Sequence, residues 1–309
     1  MSERDDFRIL SLDGGGSKGV YTLGILREVE ALARRPLNEE FDLIYGTSTG
    51  AIIAALLALG NDIEHITQTY FDLIPDVMQH KRRFKRSAAL RRNAEKIFEE
   101  KKFDAFLTDI GIVSTHYDNA KPMIFKTSIK QAHGRASTFA PGFGCTIVDA
   151  LMASTAAFPF FERPRVQTQN QGAPEVMDGG FVANNPTLFA IADAINAYKL
   201  PKDKLKVLSL GVGVYNEPQR KFYYEMLFKL WPFYLTPKIL DANTNTIEQL
   251  RAILFPDVQT VRINDAFPQK EYETDFLDSD RDKLVKLNSL GRESFAKQER
   301  QLKDLFGWQ

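Results

Sequence analysis

The stretch FDLIYGTSTGAIIAALLAL, residues 41–59, decides the expected fold of this chain. A short apolar run ends in a serine between glycines, and a second run rich in Ala, Leu and Ile follows at once. This order predicts a strand, a tight turn and a helix. The turn, GTSTG at residues 46–50, has the Gly-x-Ser-x-Gly pattern of a nucleophile elbow. A tight turn with a helix-capping serine is the alternative interpretation, because so short a pattern recurs by chance.

The glycines of this motif have a steric reason. A sharp turn that projects a serine hydroxyl above the sheet leaves no space for side chains beside it, so Gly46 and Gly50 suit these positions. The helix that starts at Thr49 points its positive end and its free amides at Ser48. Ser48 is therefore the candidate nucleophile.

The same order of strand, glycine turn and helix occurs near the N-terminus, at residues 7–12, 13–19 and 20–33. Its repetition favours a parallel sheet covered by helices. Because no repeat, low-complexity tract or long linker marks a boundary, we expect one domain over residues 1–309, with a C-terminal helical extension at roughly residues 214–309. Further strands are predicted at residues 123–128, 175–177, 206–210 and 259–263, and further helices at residues 147–154, 186–198, 239–254 and 281–305.

Charge and composition narrow the function classes. The 40 basic and 40 acidic side chains give a formal net charge of +0, so no DNA or RNA partner is expected. The single cysteine, Cys145, cannot form an intrachain disulfide, which favours a reducing compartment. The charged N-terminus lacks the apolar run of a signal peptide, and the most apolar stretch, residues 51–59, is too short to span a bilayer. We therefore expect a cytoplasmic protein.

The loop DGGGSKG, residues 13–19, can form a nest of successive backbone amides that binds an anion. Gly14, Gly16 and Gly19 formally satisfy a dinucleotide fingerprint, but no acidic residue closes the next strand. The loop is also similar to the first phosphate loop of actin-like sugar kinases, whereas the ending of a Walker loop is absent. A further interpretation is an oxyanion hole, whose amides stabilise the negative oxygen that forms when a serine attacks an ester.

The third glycine motif is Asp178-Gly179-Gly180, which follows a short apolar run. A carboxylate at a strand end, flanked by glycines, can be approached closely by another side chain, although a turn aspartate is the alternative. A Ser-His-Asp triad needs a histidine beside the nucleophile, but all four histidines lie in polar or charged segments. A carboxylate is then the candidate base, and a partly dry pocket would raise its pKa toward neutrality. Such a dyad needs no metal.

These three motifs, in this order, resemble those of the patatin-like phospholipase family. The segment ASTAAFPFF at residues 153–161 is similar to the family's Ala-Ser-x-Ala-Ala-x-Pro element, and Asn-Asn-Pro at residues 184–186 follows the Asp-Gly-Gly motif as expected. The resemblance covers roughly residues 7–213. It implies a three-layer α/β/α sandwich with a mostly parallel central sheet.

The resemblance also implies roles for the site residues. Ser48 is the expected nucleophile and Asp178 the base that activates it, with no cofactor or metal required for catalysis. The implied activity is hydrolysis of acyl esters in membrane phospholipids through an acyl-enzyme on Ser48. The expected oxyanion hole consists of Gly14, Gly15 and Gly16. The nucleophile elbow contains Gly46 and Gly50, and the base motif contains Gly179 and Gly180.

The C-terminal TDFLDSD at residues 274–280, followed by a helix, is similar to the end of bacterial patatin-like effectors of the CBASS type, which act in antiviral signalling. That resemblance implies a cyclic di- or oligonucleotide activator and transient contact with the inner face of the membrane. We also expect a homo-oligomer whose assembly a ligand can induce. The alternatives are a constitutive patatin-like lipase, an actin-like sugar kinase or ATPase, and a non-catalytic nucleotide sensor.

Several segments have more than one interpretation. The aromatic run at residues 222–235 is either a core helix or a lid that meets the bilayer. Phe158, Phe160 and Phe161 either line an acyl pocket or belong to the ordinary core. A basic run is a solvated face, a contact for anionic headgroups or a phosphate site for a nucleotide, and its residues are Lys81, Arg82, Arg83, Lys85 and Arg86.

Overall fold

The structure is a computed structural model that describes residues 4–216 and 231–309. Its strands are, in chain order, β1 (Phe7–Leu12), β2 (Leu43–Thr47), β3 (Asp109–His116), β4 (Lys121–Lys126), β5 (Val176–Asp178), β6 (Leu205–Leu210), β7 (Val214–Tyr215), β8 (Gln259–Ile263) and β9 (Ala266–Phe267). Within these ranges the central sheet has the order β4-β3-β2-β1-β6-β8, with β5 paired to β3, and β7 pairs with β9 separately. Neighbouring strands from β3 to β8 pair in parallel, whereas β4 and β5 are antiparallel to β3.

The helices cover both faces of the central sheet. They are α1 (Gly19–Ala33), α2 (Leu37–Glu40), α3 (Thr49–Ala58), α4 (Ile63–Met78), α5 (Arg83–Phe98), α6 (Ile147–Ser154), α7 (Gly180–Ala183), α8 (Thr187–Asn196), α9 (Trp231–Leu254) and α10 (Arg281–Phe306). One layer, formed mainly by α1, α3, α4, α5, α6 and α10, encloses the larger apolar core. On the opposite face α8 packs against β1 and β2, and α9 packs on α7 and α8. The predicted three-layer α/β/α sandwich with a mostly parallel sheet is confirmed.

The two elements at residues 41–59 form the centre of the molecule. All five residues of β2 are buried, as expected for a parallel strand with both faces covered. α3 is buried along its whole length, which explains why its sequence is apolar on every side instead of amphipathic. Ser48 therefore lies where the central strand ends and the most buried helix begins.

β3 is a strand that the sequence pattern did not predict, although it pairs with β2, β4 and β5. Gly111 within it leaves space for the ring of Tyr45, because a Cβ at Gly111 would lie 2.2 Å from that ring. The sequence also did not predict α4 or α5. The segment at residues 214–309, predicted as a helical extension, contributes β8 to the central sheet as well as α9 and α10.

The aromatic run at residues 222–235 lies mostly outside the described residues, so its role as a lid or as core stays a prediction. Its last residues belong to the start of α9. Among the helices of the described ranges, none combines the length and the apolar character that crossing a bilayer requires.

Candidate active site

Ser48 occupies a strained turn between β2 and α3. Its φ of 53° and ψ of −120° lie outside the regions that side-chain-bearing residues usually adopt. The flanking glycines permit this turn: a Cβ at Gly46 would lie 2.3 Å from the Gly50 carbonyl oxygen, and a Cβ at Gly50 would lie 2.3 Å from that of Leu12. The turn thus packs closely on its own backbone and on the end of β1, and this leaves no space for a side chain at either glycine.

Asp178 ends β5 and is only 1% exposed. Its Oδ1 accepts the Gly180 amide at 2.7 Å. The Ser48 hydroxyl lies close enough to this carboxylate to lower its pKa. Burial raises the pKa of Asp178 to about 7, while the Gly180 amide and the Ser48 hydroxyl lower it in part. A carboxylate with a pKa near neutrality is a far better general base for a serine hydroxyl than an exposed aspartate.

Ser154, at the end of α6, connects the nucleophile to the base. The Ser48 amide donates to Ser154 Oγ at 2.8 Å, and that hydroxyl donates to the Val113 carbonyl at 2.6 Å. The Gly179 amide donates to the Ser154 carbonyl at 3.2 Å. The segment at residues 153–161 therefore fixes the elbow and the base turn relative to each other, a role that the sequence pattern did not reveal.

The glycine loop lies beside Ser48, and the protein anchors it through its carbonyl groups. Each carbonyl accepts a hydrogen bond: Gly14 from Asn184 Nδ2 at 3.2 Å, Gly15 from the Lys18 amide at 3.3 Å, and Gly16 from the hydroxyls of Thr49 and Tyr70 at 2.7 Å each. In a trans peptide the amide points away from the carbonyl that precedes it. Because the carbonyls of Gly14 and Gly15 point toward their hydrogen-bond donors, the amides of Gly15 and Gly16 point away from those donors.

The amides of the three glycines are not equivalent. The Gly14 amide donates to the Asn184 carbonyl at 3.0 Å. Within residues 4–216 and 231–309, the amides of Gly15 and Gly16 have no acceptor, and both glycines line the same cavity as Ser48. Of the three predicted oxyanion donors, Gly15 and Gly16 are therefore the ones with an amide available for an anion.

A buried ion pair fixes the start of the glycine loop. Asp13 is 2% exposed, and its carboxylate accepts hydrogen bonds from both terminal nitrogens of Arg262 on β8, one of them at 2.9 Å. Arg262 also donates to Ser209 Oγ at 2.8 Å. Because a bidentate pair fixes orientation as well as distance, Arg262 holds the loop against the sheet. No short sequence motif identifies Arg262 as the partner of Asp13, which is 249 positions away in the sequence.

Ser48 and Asp178 line a cavity of about 640 Å³, a size typical of small-ligand sites. One half is polar and includes the dyad, the glycine loop and Asn184. The other half is apolar, lies between α4, α5 and residues 157–161, and is lined by Leu73, Ile74, Val77, Leu90, Phe160 and Phe161. Such a cavity can hold a polar ester next to the nucleophile and a hydrocarbon chain beyond it.

Other candidate residues lie apart from this cavity. None of the four histidines lines it. Within the described ranges, no group of three or more His, Cys, Asp or Glu side chains is arranged to hold a metal. The basic run lies on the loop after α4 and in the first turn of α5, where Arg86 donates to the Phe160 carbonyl at 3.3 Å.

Comparisons with known proteins identify the family of the chain. The family described as "Patatin-like phospholipase" matches residues 10–191. A "cUMP-AMP-activated phospholipase" of Escherichia coli is 48% identical over 96% of this chain and 93% of the relative. A "cGAMP-activated phospholipase" of Vibrio cholerae is 28% identical over 67% of this chain and 64% of the relative. The crystal structure of VipD from Legionella pneumophila shares the fold, with a TM-score of 0.51 and 12% identity over 96% of this chain and 67% of that chain. The chain therefore belongs to the patatin-like phospholipase family.

Proposed function

We propose that this protein is a serine phospholipase that hydrolyses acyl esters of membrane phospholipids through Ser48 and Asp178. The observation that carries the proposal is that the Ser48 hydroxyl and the buried Asp178 carboxylate line the same cavity, which has one polar and one apolar half. The polar half suits the ester and the apolar half suits an acyl chain.

The first half of the reaction forms an acyl-enzyme. Asp178 accepts the proton as Ser48 Oγ attacks the ester carbonyl, and the amides of Gly15 and Gly16 stabilise the resulting oxyanion. When the tetrahedral intermediate collapses, the carbon–oxygen bond to the leaving group breaks. The lysophospholipid leaves as an alcohol that takes the proton from Asp178.

The second half releases the fatty acid. Water attacks the acyl carbonyl while Asp178 accepts one of its protons, and the same amides stabilise the second oxyanion. Collapse breaks the bond to Ser48 Oγ, which regains its proton from Asp178. Every step uses side chains and amides that already line one cavity, so the proposed catalysis requires no cofactor.

We further propose that a cyclic dinucleotide switches this activity on. The supporting finding is the 48% identity to a cUMP-AMP-activated phospholipase over nearly the whole length of both chains. An unrestrained phospholipase in the cytoplasm would attack its own cell's membrane from the inner face, so a resting state is expected. To shift the active fraction from about 1% to about 99%, the ligand must prefer the active state by roughly 10⁴-fold. Bridging of subunits in a homo-oligomer would be one source of that preference.

The test follows fatty acid release from phospholipid vesicles by the purified protein, with and without cUMP-AMP. Release that requires the nucleotide and is lost in Ser48→Ala supports both proposals. Equal release without nucleotide leaves a constitutive lipase. No release of fatty acid from vesicles and no hydrolysis of p-nitrophenyl esters under either condition would contradict the phospholipase assignment itself.

A further inference from the structure

A surface of exposed positive charge lies where α5 begins. Its four cations are all exposed and form no ion pair with any residue at 4–216 or 231–309. The carboxylate of Asp76, near the end of α4, pairs with Arg92 instead. Phe84, among the cations, is 47% exposed. We call this surface the basic rim, and its residues are Lys81, Arg82, Arg83 and Lys85.

The position of these charges is unfavourable for the helix itself. Arg82 is the N-cap residue of α5 and makes no side-chain cap hydrogen bond, and the first turn contains no acidic residue. Positive charges at a helix N-terminus oppose the helix dipole and repel one another. A merely solvated helix face does not require cations at this end. Their placement therefore indicates an anionic partner.

The basic rim adjoins the apolar half of the cavity. Residues three or four apart share one face of a helix. One such face of α5 starts at Leu90, which lines the cavity, and continues to Arg86, which donates to the Phe160 carbonyl. It ends at Arg83, whose guanidinium lies 5.9 Å from the centre of the Phe158 ring. The face thus leads from the cavity wall to the exposed cations.

We propose that the basic rim, together with Phe84, is the surface by which this protein docks on a bilayer that contains anionic phospholipid. Lysine and arginine donate to the phosphate oxygens of the headgroups, and the aromatic ring of Phe84 inserts at headgroup depth. Docking in this orientation places the apolar half of the cavity next to the bilayer, from which an acyl chain enters. The proposal rests on the proposed phospholipase function, because it names the surface on which the substrate is met.

Two observations favour a membrane surface over a free nucleotide as the source of the phosphate. The cations of the basic rim do not line the described cavity, whereas small-ligand sites are concave. An exposed aromatic ring among cations is typical of a contact with the headgroup layer. The chain has a formal net charge of +0, so this local surface, and not overall attraction, would supply the binding to anionic lipid.

The test measures sedimentation of the full chain with vesicles of phosphatidylcholine alone or with added phosphatidylglycerol, in a Ser48→Ala background that leaves the lipid intact. The rim variant combines Arg82→Gln, Arg83→Gln and Lys85→Gln. The matched control removes three exposed cations of α10 by Arg281→Gln, Lys286→Gln and Arg300→Gln. Since each basic residue contributes about fivefold to binding of an anionic surface, the rim variant should bind phosphatidylglycerol vesicles on the order of 100-fold more weakly. The control should bind them like the parent protein.

Further measurements distinguish failure of the docking proposal from failure of the proposed phospholipase function. With Ser48 present, the ratio of vesicle hydrolysis to p-nitrophenyl ester hydrolysis should fall in the rim variant and not in the control. A variant with Arg82→Lys and Arg83→Lys keeps the charge and should keep vesicle binding. Unchanged vesicle binding by the rim variant would overturn the proposal. The proposal would also be wrong if the rim variant kept vesicle binding but lost cUMP-AMP binding, measured by calorimetry, because the rim would then be a site for nucleotide phosphate. Vesicle binding that depends on the rim, without any ester hydrolysis, would contradict the proposed function and leave the docking surface standing.

Discussion

Ser48 and Asp178 line one cavity, where Asp178 is 1% exposed and burial raises the pKa of its carboxylate to about 7. The same burial therefore explains two properties. It makes the carboxylate basic enough to accept the serine proton, and it makes the ionised form costly to keep inside the protein.

Removal of either member of the dyad should abolish ester hydrolysis. We expect Ser48→Ala and Asp178→Asn each to lower kcat by at least about 10³-fold, and the double variant to lose no more, because both side chains act in the same step. Hydrolysis of p-nitrophenyl esters measures the effect, with the exposed Asp118→Asn as control. If the two losses multiplied, the side chains would be acting independently and the dyad would be wrong.

The pH profile should report the pKa of Asp178. Only the deprotonated carboxylate can accept the serine proton, so kcat/KM should fall about tenfold per pH unit below a midpoint near 7 and level off above it. Steady-state kinetics with a soluble ester from pH 5 to pH 9 measure this. A flat profile from pH 5 upward would mean that the base titrates like an exposed aspartate.

Asp178→Asn should stabilise the protein at alkaline pH relative to the wild type. The folded-state pKa of about 7 lies above 3.8, the ordinary pKa of an aspartate side chain. Between these values the folded state holds a proton that the unfolded state has lost, so the stability of the wild type falls as pH rises through this window. From pH 5 to pH 8 the difference in unfolding free energy should move by roughly 3 kcal/mol in favour of the variant, at about 1.4 kcal/mol per pKa unit. Urea unfolding at the two pH values measures the difference, and a difference that does not depend on pH would refute the raised pKa.

The turns that hold the candidate catalytic residues could be predicted from the sequence because their geometry is local. Ser48 needs a turn that only its neighbouring glycines permit, and Asp178 ends a strand before two glycines. The partners that fix these motifs could not be predicted, because they depend on tertiary contacts. Arg262 meets Asp13 only after β8 joins the sheet beside β6.

The elements that the sequence pattern missed also have physical reasons. β3 contains Gly111 and ends in polar residues, so its pattern is typical of a loop. In the fold its glycine faces the Tyr45 ring, and the hydroxyl of Ser114 donates to the Met177 carbonyl on β5. Likewise the three glycines of the loop look alike in sequence, and only the carbonyl of Asn184 distinguishes the amide of Gly14 from the other two.

Arg262→Lys should impair catalysis without changing substrate binding to the same extent. Lysine keeps the charge but cannot make the bidentate contact with Asp13, so the glycine loop loses its fixed orientation. Because the oxyanion exists only in the transition state, kcat should fall by about 10- to 100-fold with KM nearly unchanged. Kinetics on a soluble ester, with thermal unfolding in parallel, measure this. Lower thermal stability with normal kcat would limit Arg262 to a structural role.

Narrowing the apolar half of the cavity should shorten the acyl chain that the protein prefers. Val77 is fully buried and lines this half together with Leu73 and Leu90, so Val77→Phe places a ring where the distal methylenes of a long chain would lie. Each methylene that loses its burial costs about 0.8 kcal/mol, or roughly fourfold in kcat/KM. The p-nitrophenyl esters of butyrate, octanoate and palmitate should therefore show a loss that grows with chain length, with butyrate little affected. Val285→Phe makes the same substitution at a position of α10 that is 51% exposed and should leave the chain-length profile unchanged. An equal loss for all three esters in Val77→Phe would indicate a general disturbance of the fold and would place the acyl chain elsewhere.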